Sequence, residues 1–258
     1  MASDMIEQKY YTKDFYEEQQ SGSYQSALEI LGYVNDVFHP LSVADIGCGV
    51  GYWLKVWKEK FGIDDIFGLE GPYITSDMLK VPPGNVRFQD LKSDFNINRK
   101  FDLVMSMEVA EHLPESFAEH FISSLTQLSD VILFSAAIKG QGGTYHINEQ
   151  MPEYWAAKFA ARGYTPIDFI RPKIWSNEKV EWWYRQNILL YIKNERIVEF
   201  PQLQDACKAT SPDYLFRVQP WLYFHKLEHI RKTETSLGYV RWKLYPVKKF
   251  FQKLFNKK

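Results

Sequence analysis

Two carboxylates and an imidazole, Glu108, Glu111 and His112, fall within five positions of the stretch MEVAEHL (107–113), directly after the apolar run FDLVMS. Like charges that close together raise one another's pKa and cost stability unless something positive sits among them. At spacing i, i+3, i+4 the three side chains share one face if the segment makes a helical turn, whose length Pro114 limits. Glutamate oxygens and an imidazole nitrogen suit a divalent cation with open positions, Mg2+ or another, and such a cation would remove the repulsion. A fourth ligand would come from the neighbouring strand end, where His146 is the only histidine of KGQGGTYHINEQ (139–150). Two other readings stay open. His146 or His112, with Glu111 nearby, could act as a metal-free general base, or the glutamate could cap a helix while the histidine orders a loop.

A second set of residues lies in VADIGCGVGYWL (43–54), where a strand closes on Asp45, Gly47, Gly49 and Gly51 follow, and a helix opens near Tyr52. Glycines there let the backbone turn tightly and approach a ligand, while unpaired helix N–H groups face it. The dinucleotide fingerprint needs a third glycine three residues after the second, to pack helix on strand, and that position is Tyr52. Asp45 would also repel a pyrophosphate. It would favour a ligand that carries positive charge.

The elements that position both sets are short apolar runs alternating with helical patterns: SVADIGC, DIFGLE, NVRFQD, FDLVMSM, DVILFSAA, YTPIDFI and QNILLYIKN. Near-continuous apolar character suits strands covered on both faces by helices, so the expectation is an α/β fold with a doubly wound, mostly parallel seven-stranded sheet. PESFAEHFISSLTQL predicts an amphipathic helix from Pro114, with Phe117, Phe121 and Leu125 four apart, and MPEYWAAKFAARG predicts another, stopped by Gly163. Thr12 to Phe38 reads as a helical, aromatic lid. Residues 1–199 would form the main domain with its lid, and 200–258 a helical extension. His225 and His229 in FHKLEH read as surface helix.

With its D-x-G-x-G-x-G stretch the chain resembles the class I S-adenosylmethionine-dependent methyltransferases over roughly Tyr16 to Asn194. The resemblance implies their Rossmann-like fold and a cofactor whose sulfonium and α-amino group Asp45 would suit. It further implies an acid closing the second strand for the ribose hydroxyls, here Glu70, and one closing the third beside the adenine, here Asp90, with Leu91 and Met107 as adenine-site neighbours. The set Glu108, Glu111, His112 and His146 resembles the metal site of the small-RNA 3′-terminal 2′-O-methyltransferases, and its E-x-x-E-H part is shared with the ubiquinone-biosynthesis O-methyltransferases. That likeness implies a metal chelated by vicinal hydroxyls of the acceptor. The arginine- and histidine-rich surroundings of the RNA enzymes are missing here. GGTYHINEQMPEYW looks like methyltransferases associated with bacterial surface polysaccharide synthesis.

Composition narrows the partners. The 258 residues carry a net charge of −1, but Tyr239 to Lys258 holds seven Lys or Arg and no acid, which leaves −8 for the rest. An acidic body argues against nucleic acid. The tail combines its cations with Trp242, Phe250, Phe251, Leu254 and Phe255, as a helix lying on an anionic membrane would, and as a terminal helix packed on the body would also. Cys48 and Cys207 are too few for a disulfide framework, and no signal peptide or bilayer-spanning run is readable, so a cytoplasmic protein is expected. Loops rich in Trp, Tyr, Asn, Gln and Glu after the fifth and sixth strands suit a sugar acceptor. The expectation is an O-methyltransferase for a sugar hydroxyl of a bacterial surface glycan or its nucleotide-linked precursor. Its rivals are a catechol or quinone-precursor O-methyltransferase and a non-catalytic cofactor-binding subunit that partners a glycosyltransferase.

Overall fold

The computed structural model describes residues 13–234 except 94 and 96, with side chains from residue 22 onward. The basic tail, 239–258, lies outside the described residues. Two compact units are present, one up to Arg217 and one from Val218.

In the first unit, β1 (Ser42–Ile46), β2 (Asp65–Glu70), β3 (Val86–Phe88), β4 (Leu103–Met107), β5 (Val131–Ser135), β6 (Tyr164–Ile167) and β7 (Leu189–Lys193) form one sheet in the order β3-β2-β1-β4-β5-β7-β6. Neighbours from β3 to β5 are parallel, while β7 runs antiparallel to both β5 and β6. Each strand falls inside one of the seven apolar runs. The reason is visible along β4, where Leu103, Met105 and Met107 enter one core and Val104 the other. A strand buried on both faces has no polar side to alternate with.

The helix α1 (Lys13–Phe38) packs with α2 (Tyr52–Phe61) over the first core through Ala27, Ile30, Leu31 and Val34. On the opposite face lie α3 (Ala118–Leu128) and α4 (Pro152–Ala160), the former through Phe121, Ile122 and Leu125. The helix expected from Pro114 begins later than the sequence suggests. Pro114 is extended at ψ 144°, the chain makes a 3-10 turn over Glu115–Phe117, and α-helix starts at Ala118. With that ψ, Pro114 stands outside the helix instead of occupying its first turn.

Three short helices follow, α5 (Arg171–Ile174), α6 (Trp182–Asn187) and α7 (Gln204–Ala209). The buried Arg171 ties this region together. Its guanidinium pairs with both oxygens of Asp168 at 2.8 Å and donates to the carbonyls of Gln186 at 3.1 Å and Leu215 at 2.8 Å. In the second unit, α8 spans 220–234, with His225 and His229 exposed. Among the described residues no helix is long and apolar enough to cross a membrane.

Candidate active site

Strand order reverses between β1 and β4, and a crevice in an open α/β sheet opens beyond the carboxyl ends of its strands at such a switch point. A cavity of about 390 Å³ lies there. It is lined by Asp45, Gly47, Gly49, Glu70, Asp90, Leu91, Met107, Glu108, His112 and His146, whereas Gly51 and Glu111 are not among its lining residues.

At one end the loop after β1 wraps the cavity floor. Gly47 has φ 80°, and a Cβ there would meet Val109 Cγ2 at 2.4 Å, so the position needs glycine on both counts. The N–H groups of Gly47 and Cys48 donate to the carbonyl of Leu69 at 2.8 and 3.2 Å. Glu70 is fixed in turn, accepting from Gly49 N–H on Oε2 at 2.5 Å and from Gly71 N–H on Oε1 at 2.8 Å. Burial pushes the Glu70 carboxyl up to about 7, against these two donors. Burial also drives Asp45 up to about 8, with the Glu70 charge adding to it, and Asp45 Oδ1 is buried with no hydrogen-bond partner among the described residues. Two neighbouring acids at the floor are thus both held toward the neutral form by burial. Asp90 lies two residues past the end of β3, exposed, and its Oδ1 closes a turn by accepting Lys92 N–H at 2.9 Å. Leu91 and Met107 are buried and also line the cavity.

At the other end the crowded acids stay close enough to repel one another, on a turn that is not α-helical. The turn after β4 is a single 3-10 turn, Ala110–His112, stopped where Leu113 extends at ψ 140° before Pro114. Glu108 stands outside that turn with φ 56°, a left-handed conformation that a non-glycine residue adopts only under constraint. Its N–H donates to Ser135, to the carbonyl at 3.0 Å and to Oγ at 3.1 Å. Both Glu108 oxygens accept from Asn187 Nδ2 at 3.1 Å. Gln186 Nε2 donates to Asn187 Oδ1 and to Gln141 Oε1, each at 3.0 Å, so buried amides brace the carboxylate. Burial raises the Glu108 pKa and the Asn187 bonds oppose it.

Glu111 is fully buried. Its Oε1 accepts Ala137 N–H at 3.1 Å, Oε2 accepts no hydrogen bond among the described residues, and burial followed by the Glu108 charge raises its carboxyl well above the usual range. The carbonyl of Glu111 also receives the N–H groups of Ile147 and Asn148 at 3.0 Å, which fastens the loop bearing His146 onto this turn. His112 Nδ1 faces the carbonyl of Tyr145 at 3.2 Å, so Nδ1 carries the proton and Nε2 is the basic nitrogen. Burial, with the His146 charge next, lowers His112 to about 4 and keeps it neutral. His146 Nδ1 pairs with Glu149 Oε1 at 2.9 Å, and the two imidazoles meet edge to face with centroids 4.9 Å apart. Gly143 makes room for this ring, since a Cβ there would lie 2.3 Å from His146 Nε2. Ligand-type atoms of Glu111, His112 and His146 lie within 4.8 Å of one another, a group that excludes Glu108.

Sequence reasoning missed the braces. Asn187 and Gln141 sit 79 and 33 residues from Glu108, with no fixed spacing to betray them. Ser23, Tyr52, Tyr73 and Lys92 also line the cavity without a motif, as do Trp182 and Trp183 from the aromatic run already noted.

No protein-family model matches the chain, and no curated protein matches its sequence. Among solved structures it is similar to magnesium protoporphyrin IX methyltransferase (ChlM) from Synechocystis PCC 6803 with bound SAH, at 18% identity over 74% of this chain and 99% of that one, with TM-score 0.51. It is also similar to the plantazolicin methyltransferase BpumL in complex with a monoazolic desmethylPZN analog and SAH, at 15% identity over 74% and 91%, with TM-score 0.52. At such identities the likeness is one of fold. The chain has the Rossmann-like fold of the class I methyltransferases.

Proposed function

We propose that the protein is an S-adenosylmethionine-dependent O-methyltransferase whose acceptor is a sugar hydroxyl of a bacterial surface glycan or its precursor. The observation that carries the cofactor assignment is the cavity floor, where the buried and partnerless Asp45 Oδ1 lies beside Glu70 under a glycine loop. A cavity that keeps two desolvated carboxyls side by side is built for a ligand with positive charge. Asp45 suits an ammonium or sulfonium, Glu70 has lone pairs left for a vicinal diol, and Gly47 and Gly49 admit the ligand's close approach. When bound, S-adenosylmethionine supplies an electrophilic methyl group.

Residues at the far end have the complementary task of preparing an oxygen nucleophile. His146, oriented through Nδ1 by Glu149, offers Nε2 to take the hydroxyl proton as the new C–O bond forms. Asn187 keeps the Glu108 carboxylate as an acceptor able to orient a second hydroxyl. Trp182, Trp183 and Tyr145 give this end aromatic faces beside the Gln141 amide, a combination that fits a sugar ring. Glu111, His112 and His146 also fit a divalent cation, which would polarise an acceptor hydroxyl. With two imidazoles and one carboxylate the donor set favours Mn2+, Co2+ or Zn2+ over Mg2+, which prefers oxygen.

A screen with methyl-labelled cofactor against nucleotide sugars, oligosaccharides and catechols tests the reading. Label on a sugar oxygen is expected, and transfer to catechols alone would contradict the acceptor assignment. Exhaustive chelation should stop turnover, with Mn2+ restoring more activity than Mg2+. Full activity in chelator, abolished by His146→Ala, would assign His146 as a metal-free base.

A further inference from the structure

The helix α8 leaves an apolar face in water. Tyr223, Leu227 and Ile230 recur at i, i+4 and i+7 with Phe224 beside them, and all four are between 44% and 64% exposed. Leu222, on the other side of the helix, is buried. Arg231 borders the exposed stripe, and Lys226 and Lys232 lie farther round. The charge of the whole unit is what distinguishes its partner. Residues 218–258 hold ten Lys and Arg against two Glu, a net +8, which leaves −9 on residues 1–217.

We propose that the second unit is an interfacial anchor for an anionic lipid bilayer, with Tyr223, Phe224, Leu227 and Ile230 entering the acyl boundary and the flanking cations reaching the headgroups. Aliphatic and aromatic side chains on one exposed helical face need an apolar phase, and a unit of net +8 favours a negatively charged one. A bilayer surface with anionic headgroups offers both. A second copy of this unit would set +8 against +8. A nucleic acid would satisfy the cations but leave Leu227 and Ile230 in water. Nothing in this inference depends on the chemistry of the cavity.

The test is cosedimentation of the full chain with vesicles of pure phosphatidylcholine and of phosphatidylcholine containing phosphatidylglycerol. Preferential binding to the anionic vesicles is expected, weakened by salt. The triple variant Phe224→Gln, Leu227→Gln, Ile230→Gln should lose about tenfold in partition. All three side chains are exposed and glutamine is a good helix former, so the fold is retained, as unchanged thermal melting and S-adenosylmethionine affinity would verify. The proposal is overturned by no preference for anionic vesicles, by wild-type partition of the triple variant, or by a concentration-dependent dimer that the triple variant abolishes in place of vesicle binding. Tighter binding to single-stranded RNA than to anionic vesicles would do the same.

Discussion

The two ends of the cavity handle buried acid in opposite ways. At the glycine-loop end, among the described residues Glu70 receives two backbone N–H groups and Asp45 Oδ1 none, and burial raises both carboxyls, to about 7 and 8. At the β4 end, Glu108 is braced by Asn187 and Gln141, and the backbone N–H of Ala137 secures half of Glu111. On the proposed reading, the first arrangement is completed by a cationic ligand. The second spends its own side chains on fixing geometry, as a site that must align an acceptor requires. Binding and turnover should accordingly respond to different residues.

The largest separation is expected at His146. His146→Ala should lower turnover by about a thousandfold while the dissociation constant for S-adenosylmethionine stays within about twofold of wild type. Parallel loss of cofactor affinity would erase the distinction between the two ends. Asp45→Asn keeps the shape but not the charge, and should weaken cofactor binding by about a hundredfold in calorimetry, with the melting temperature held or raised because an unpaired buried acid is gone. Asn187→Leu strips both hydrogen bonds from Glu108. It should cost about 1–3 kcal/mol of stability, a fall of several degrees in Tm, and displace the acidic limb of the turnover profile upward, whereas cofactor affinity holds. A merely structural Asn187 would lower Tm without moving that limb.

The smallest effect expected is on pH dependence. Asp45 and Glu70 have folded-state values near 8 and 7, raised above their unfolded values of about 4. In the absence of a cation, the stability they contribute as neutral groups is full below about pH 4 and is lost as pH climbs through 7 and 8. A cationic ligand selects the ionised forms, so cofactor affinity should rise by roughly tenfold between pH 6.5 and 8.5. A flat profile would show that these acids do not face the ligand's charge.

What the sequence disclosed follows from how locally each feature is encoded. All seven strands were legible because two-sided burial writes a continuous apolar run, and Asp45 with its glycines because a tight strand-to-helix turn constrains consecutive residues. The absence of Glu108 from the Glu111, His112 and His146 ligand group was not, since a helical turn and a left-handed residue followed by one 3-10 turn share the same spacing in sequence. Pro114 hinted at the short turn through its effect on Leu113. The amide braces were illegible altogether: Gln141, Gln186 and Asn187 meet only because β5 and β7 pair antiparallel and bring their flanking loops to the end of β4.

If the desolvated carboxyls at the cavity floor hold a cationic cofactor, binding it must release the protons they carry. Titration of S-adenosylmethionine into the protein at pH 7, repeated in buffers of low and high ionisation enthalpy, tests it most directly. Saturable binding with release of about one proton is expected, because Asp45 and Glu70 must ionise to meet the ligand. No binding, or binding with the same heat in both buffers, would contradict the account.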